Sequence, residues 1–225
     1  LYLSMKKNQN EKLLWDRYNN LLLSGDVSRV RKLLVRYELF KKSLKVPGDI
    51  IECGVFKGVG LMYWLKLLKI FANGEDKRVI GFDTFSKFSS QLQSYEKNSA
   101  KKYIKESNFK GIDHKKLSSQ IKNNGFENCI LVKGEVKNTI NNFLIKNRGL
   151  RISLLNIDFD TYAGTKTVLD KLYNRVSRGG IIVLDEYGKS GWGESDAVDE
   201  FFKKKKNKIN SVRYSGQPTA YIIKE

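Results

Sequence analysis

Acidic residues close four runs of apolar residues in this chain: Glu52 in DIIEC, Asp83 in VIGFD, Asp158 in ISLLNID, and the pair Asp185-Glu186 in GIIVLDE. A carboxylate at the end of a buried run can accept hydroxyl hydrogen bonds, take up a proton or ligate a hard cation. Asp83, in Gly81-Phe82-Asp83-Thr84-Phe85, is placed to accept both hydroxyls of a ribose, and capping a following helix is the alternative. The stretches Asn156-Ile157-Asp158-Phe159-Asp160-Thr161-Tyr162 and Ile181 to Gly188 bring three or four carboxylates into one crevice if their strands are neighbours. Like charges at that distance repel, so a cation or shifted pKa values must accompany them. All-oxygen ligation suits Mg²⁺, Mn²⁺ or Ca²⁺, and one His and two Cys are too few for zinc. Helix capping again is the alternative.

Beside Glu52 runs a glycine-rich turn, DIIECGVFKGVG from Asp49 to Gly60. Glycines let a backbone approach a ligand closely, and the N-terminus of a following helix tolerates negative charge. The order Gly54-x3-Gly58-x-Gly60 is not the dinucleotide fingerprint GxGxxG, and tight packing explains such a turn equally well. A phosphate-cradling lysine motif is absent from the sequence. A ribose without pyrophosphate therefore fits better.

These residues need a scaffold that aligns strand ends. Apolar runs at Ile50 to Gly54, Val79 to Asp83, Cys129 to Lys133, Ile152 to Asp158 and Gly180 to Asp185 read as strands buried on both faces. Helical spacing fills the gaps at Gly60 to Phe71, Leu117 to Asn124, Val136 to Lys146, Thr165 to Val176 and Asp196 to Phe202. The alternation predicts a doubly wound, mostly parallel α/β sheet, in which ligands bind beyond the carboxyl ends of the strands. Ser211 to Tyr214 and Ala220 to Ile223 are expected to close one edge as a hairpin through Ser215-Gly216-Gln217-Pro218. Residues 1–46 form a helical extension of two helices broken near Ser24-Gly25-Asp26, and 47–225 form the main domain. The polar stretch 85–117 is expected to be a lid or substrate loop.

The chain resembles the macrocin and mycinamicin sugar O-methyltransferases. The resemblance is carried by PGDIIECGVFKG, VIGFDTFSKF, NIDFDTY and RGGIIVLDEYG, with weaker agreement in AVDEFF and GQPTAYIIK. It implies a Rossmann-like class I methyltransferase fold of seven strands, the last antiparallel. It also implies Mg²⁺-dependent transfer of a methyl group from S-adenosylmethionine to a sugar hydroxyl. By that resemblance Glu52, Cys53, Gly54, Gly58, Asp83, Thr84, Gly134, Glu135 and Asp158 border the cofactor, and Asp158, Asp185 and Glu186 hold the metal. Asp158 or Asp160 is the expected proton acceptor. Two positions depart from the family pattern: Glu186 stands where a second Asp is usual, and Gly58-Val59-Gly60 where Gly-Gly-Ser is usual.

Other residues admit bland readings beside functional ones. His114 is a surface loop histidine or one that swings into the site; Tyr162, Tyr187 and Trp192 pack or shape the acceptor pocket. Cys53 and Cys129 lie in apolar runs as buried thiols, so a reducing, cytoplasmic setting is expected. No membrane-spanning run and no secretory leader are legible. The net charge of +18 invites a search for nucleic acid, yet the lysines are scattered apart from Lys203 to Lys206. A solvated surface, or steering of an anionic substrate, accounts for them. A nucleic-acid methyltransferase is the competing function, disfavoured by an acid-rich crevice that would repel phosphate. A binding module without turnover is a third, disfavoured by the intact carboxylates. The expected partner is a small sugar-containing acceptor, and the apolar N-terminal helices could pack across a homo-oligomer or cover the acceptor.

Overall fold

The computed structural model describes residues 2–72, 77–86, 88–89, 91–106, 111–205 and 207–225, with side chains described from residue 11 onward. Positions 87, 90 and 107–110 of the polar stretch, and Lys206 of the basic block, lie outside the described residues. The chain opens with α1 (Tyr2–Leu23) and α2 (Ser28–Ser43), separated at the Ser24-Gly25-Asp26 break. It then alternates β1 (Asp49–Cys53), α3 (Val59–Phe71), β2 (Val79–Asp83), α4 (Glu96–Glu106), α5 (His114–Asn123), β3 (Cys129–Lys133), α6 (Val136–Lys146), β4 (Ile152–Ile157), α7 (Tyr162–Leu172) and β5 (Val176–Leu184). The last elements are α8 (Glu194–Phe202), β6 (Ile209–Asn210) and β7 (Ala220–Ile223).

The strands form one sheet in the order β3-β2-β1-β4-β5-β7-β6, with β7 antiparallel to both neighbours and the central strands parallel. This is the Rossmann-like class I methyltransferase arrangement. Its strand order reverses between β1 and β4, which opens the crevice where α/β folds bind ligands. The sheet separates two apolar layers. Ile51, Ile80, Leu155 and Ile182 face α6, α7 and α8, whereas Ile50, Val79, Leu154 and Val183 face α2, α3 and α5. Strands buried on both sides have to be apolar at every position, which is why these runs do not alternate.

The structure departs from the sequence expectations at three places. The 85–117 stretch contains α4 and the start of α5. Apart from Ala100, Tyr103 and Ile104, α4 is polar, so its apolar spacing is too sparse to signal a helix. The helix read as Thr165 to Val176 instead begins at Tyr162, because the Thr161 hydroxyl accepts from Gly164 N (3.3 Å) as an N-cap. The edge hairpin is real, but its first strand is Ile209–Asn210 rather than 211–214.

Candidate active site

Register places the acids. Glu52 pairs with Gly81 on one side and Asn156 on the other, and Cys53 pairs with Ile157. The first residues past the strands stay locked together: Asp158 N donates to Cys53 O (2.8 Å), Asp185 N to Ile157 O (3.1 Å) and Gly134 N to Asp83 O (2.8 Å). The carboxyl edge of the sheet thus lines up Gly54, Asp83, Gly134, Asp158 and Asp185. Three non-glycine residues with positive φ, Phe56 (48°), Phe85 (52°) and Asp160 (62°), lie in the turns after β1, β2 and β4. Backbone strain of this kind collects at sites that need a fixed, unusual geometry.

Glycine is required in the β1 turn. Gly54 has φ +98°, and a Cβ on it would stand 1.9 Å from the carbonyl oxygen of Asp158. Gly58, with φ +81°, begins α3. A Cβ on Gly60 would meet Glu52 Oε1 at 2.1 Å and Arg36 Nη1 at 2.2 Å, so this glycine leaves room for a buried ion pair. The Asp83 carboxylate holds the turn: Oδ2 accepts from Val55 N (2.8 Å) and Phe56 N (3.0 Å), and Oδ1 accepts from Phe85 N (2.6 Å). Three of about four carboxylate acceptor positions are thereby used on backbone. Thr84 follows directly, its hydroxyl accepting from Ser86 N (3.3 Å). Gly134 has φ +131°, and Glu135 at the start of α6 accepts from the Ser89 hydroxyl (3.1 Å). Cys53 is fully buried and presents only its backbone here.

The second group of acids meets cations from the N-terminal extension. On α2, Val35, Leu39 and Phe40 are buried against the sheet, and this face also carries Lys32 and Arg36. Arg36 Nη2 lies 3.1 Å from Asp158 Oδ2 and 3.8 Å from Asp185 Oδ1, while Nη1 lies 3.9 Å from Glu52 Oε1. Its guanidinium also lies 5.5 Å from the centre of the Trp64 ring. Lys32 Nζ stands 2.9 Å from Asp185 Oδ2 and 3.6 Å from Asp158 Oδ2. Burial opposes the charge on Lys32, but Asp158 and then Asp185 outweigh it, and the ammonium pKa is raised. Glu52, only 2% exposed, lies behind this cluster rather than on its open face.

None of these acids caps a helix by its side chain. Thr161 caps α7, and α8 begins at Gly193 without a side-chain cap. Asp158 and Asp185 converge, but Glu186 turns aside, with Oε1 accepting from the Gln217 amide and its backbone N donating to Glu194 Oε1 (2.9 Å). Among the described residues no group of three or more His, Cys, Asp and Glu side chains is arranged to hold a metal ion. The expected triad is therefore reduced to two carboxylates, because Glu186 already has an amide partner. Both of those carboxylates are paired with Lys32 and Arg36, and Asp185 Oδ1, buried without a hydrogen-bond partner, lies 3.8 Å from Arg36 Nη2.

An aromatic wall rises beside the carboxylates. Trp192 stacks on Phe88 (5.8 Å between centres, 19° between planes) and meets Tyr103 edge-on at 6.3 Å; Tyr103 in turn lies 6.2 Å from Phe56. Tyr103 belongs to α4, which is pinned by Glu96. That side chain is fully buried, accepting from Tyr162 N and Gln93 N (both 2.6 Å). Tyr162 and Tyr187 point elsewhere, their hydroxyls donating to Glu200 and Asp199 on α8. His114 packs its ring edge-on against Phe85 at 5.1 Å. Of the aromatic and histidine residues singled out from sequence, only Trp192 reaches the wall. Lys32, Arg36, Phe56, Phe88, Glu96 and Tyr103 were missed.

A family model described as macrocin-O-methyltransferase (TylF) matches residues 28–215. The chain belongs to that family. The family match runs from the start of α2 through Ser215, so it includes Lys32, Arg36 and every acid of the crevice. Mycinamicin III 3''-O-methyltransferase of Micromonospora griseorubida is 26% identical over 148 residues, which is 63% of this chain and 56% of that protein. The chain thus aligns with little more than half of that relative's length. CalS11, a TDP-rhamnose 3'-O-methyltransferase of calicheamicin biosynthesis, superposes with a TM-score of 0.68 at 26% identity, covering 92% of this chain and 84% of that one. The O-methyltransferase NovP superposes with a TM-score of 0.72 at 20% identity, covering 87% and 80%. No helix among the described residues is long and apolar enough to cross a membrane.

Buried acids make this family member's stability depend on pH. Burial raises Glu52 from 4.5 to about 8 despite Arg36, and raises Asp185 from 3.8 to about 6 and Glu186 from 4.5 to about 7, with neighbouring carboxylates adding to both. Each acid holds its proton more tightly in the folded chain. Its contribution to stability is complete below the unfolded value and is lost as pH rises through the folded one. The thermal midpoint of the unliganded protein is expected to fall between pH 5 and about 8.5, and Glu52→Gln is expected to flatten the upper part of that fall. A midpoint that climbs over this range in calorimetric scans would contradict the arrangement. The thiols are inert at such pH, because burial pushes Cys129 up to about 12 and Cys53 well above its ordinary value.

Proposed function

We propose that this chain is an S-adenosylmethionine-dependent O-methyltransferase that methylates a sugar hydroxyl, on a nucleotide-linked sugar or a glycosylated natural product. One observation carries the reading: Asp158, its side chain 21% exposed, stands where the strand order reverses, with the Gly54 turn on one side and Asp185 on the other. The donor belongs on the Gly54–Asp83–Gly134 side, where glycines allow close approach and Asp83, its oxygens engaged by Val55 N, Phe56 N and Phe85 N, holds the turn in shape. The acceptor belongs beside Asp158, under the aromatic wall of Phe56, Phe88, Tyr103 and Trp192. Aromatic faces suit the apolar faces of a sugar and exclude water. CalS11, which acts on a TDP-linked sugar, supports a nucleotide-sugar acceptor, as does the charge of +18.

Methyl transfer from a sulfonium is an in-line displacement, so the protein chiefly aligns oxygen, methyl carbon and sulfur. Asp158 is the carboxylate placed to take the hydroxyl proton, oriented by Arg36 at 3.1 Å. Asp160 is not suited to that role. Desolvation first, then Asp158, Glu186 and Asp185, hold its pKa well above the ordinary carboxyl value.

Titration calorimetry with S-adenosylmethionine, followed by radiolabelled methyl transfer to TDP-linked sugars, free sugars and RNA, tests the proposal. Cofactor binding with label on a sugar is the expected outcome. Absence of cofactor binding, or label only on RNA with steep salt sensitivity, would overturn it.

A further inference from the structure

The positive charge beside Asp158 and Asp185 is supplied by the chain itself. Lys32 Nζ lies 2.9 Å from Asp185 Oδ2 and 3.6 Å from Asp158 Oδ2, while Arg36 Nη2 lies 3.1 Å from Asp158 Oδ2 and 3.8 Å from Asp185 Oδ1. Arg36 cannot withdraw. Its side chain is 5% exposed, its guanidinium packs against the Trp64 ring, and its Nη1 faces Glu52, on a helix whose Val35, Leu39 and Phe40 are buried in the core. A divalent ion entering between the two acids would meet this guanidinium at short range in a poorly solvated place, where like charges repel strongly. The third acid of the expected triad is also engaged elsewhere, since Glu186 accepts from the Gln217 amide. The lining therefore disagrees with the magnesium ion that the family resemblance implies.

Lys32 differs from Arg36 in a way that matters for chemistry. Its side chain is 23% exposed, and of the three donors on its ammonium one goes to Asp185, which is itself 1% exposed and fixed past the end of β5. Asp158, at 3.6 Å, attracts the charge without forming a hydrogen bond. We propose that methyl transfer in this chain needs no metal ion, and that Lys32 of α2 acts as a catalytic residue in its place by donating a hydrogen bond to the acceptor hydroxyl oxygen. The proposal rests on the sugar O-methyltransferase reading with Asp158 as the base. A hydroxyl that hands its proton to Asp158 Oδ2 comes within reach of the ammonium next to it. In the transfer that proton passes to Asp158, an oxygen electron pair forms the bond to the methyl carbon as the carbon–sulfur bond breaks, and the sulfonium leaves as a neutral thioether. Lys32 keeps its own protons and stabilises the negative charge that grows on the oxygen as its proton leaves. Asp185 holds the ammonium at that point, and Arg36 holds Asp158.

Removal of metal ions with EDTA, followed by radiolabelled methyl transfer to TDP-linked sugars with and without added Mg²⁺, is expected to give equal rates. Electron paramagnetic resonance is expected to show no Mn²⁺ bound to the intact chain at millimolar concentration, which reads the site without reference to turnover. Lys32→Met is expected to lower kcat by about 10²-fold, the usual worth of one such donor, with the acceptor KM and the affinity for S-adenosylhomocysteine changed far less. Lys32→Arg, which keeps the charge and the donors, is expected to recover most of that loss. A merely structural role would instead lower the thermal midpoint and weaken S-adenosylhomocysteine binding in Lys32→Met together with kcat. That pattern, normal kcat in Lys32→Met, or activity lost in EDTA and restored by Mg²⁺ overturns the proposal while the sugar O-methyltransferase reading stands. Absence of cofactor binding, or of label on any sugar under every condition, removes that reading and the proposal with it.

Discussion

Alanine at Gly54 is expected to remove at least about 3 kcal/mol of folding stability and all measurable cofactor binding. Two effects combine. At φ +98° any L-residue pays a left-handed backbone cost of about 1–2 kcal/mol, and the new Cβ would lie 1.9 Å from Asp158 O and 2.6 Å from Asp158 C. Those neighbours are backbone atoms of an adjacent strand end, tied by the Asp158 N to Cys53 O bond, so neither can rotate away. Relief would have to come from parting β1 and β4 where the donor and acceptor sides meet. Gly125→Ala is the control, since that glycine also has positive φ (71°) but nothing within 4 Å of its Cβ position. It should lose only the backbone part. Urea unfolding of both variants decides the matter, and equal losses would show that the crowding at Gly54 is not what matters there.

Asp158→Asn is expected to lower kcat for sugar methylation by about 10²- to 10⁴-fold, the usual contribution of a positioned base. An amide cannot take the hydroxyl proton, and it leaves Arg36 with a weaker partner at 3.1 Å. S-adenosylmethionine affinity should change far less, because the donor side is built on Asp83 and the glycine turn. Asp160→Asn is the informative companion. Asp160 accepts no hydrogen bond from Arg36 or Lys32, and burial pushes its carboxyl pKa up, so it is the lesser candidate and its amide is expected to keep kcat within about tenfold. If the two variants lose activity equally, or Asp158→Asn retains normal kcat, Asp158 is not the base.

The sheet was readable because the central strands β1, β2, β4 and the second half of β5 are buried on both sides and have to be apolar, and because acids fall at or near their carboxyl ends. Asp158 and Asp185 were found for the same reason. Lys32 and Arg36 were not, because their partners lie 153 and 122 residues away and nothing local demands a charge there. A signal was present all the same: the two cations sit four apart on the helix face that carries Val35, Leu39 and Phe40, where solvent-facing charges do not belong. Glu186 was misplaced by assuming that adjacent acids act together. One sits past β5 facing the crevice, while its neighbour reaches Gln217 beside β7. Glu96 hid in a polar stretch because a buried acid looks, in sequence, like any exposed one.

Glu96 also separates two jobs within one chain. The stretch that bears Phe88 and Tyr103 is fastened to the body at a fully buried carboxylate gripping the first turn of α7. Residues of that stretch other than Ser89 and Tyr103, which reach Glu135 and Phe56 on the donor side, can be exchanged with little disturbance of that half. A scaffold built this way can acquire a new acceptor by redrafting a few dozen residues, with its transfer chemistry inherited intact.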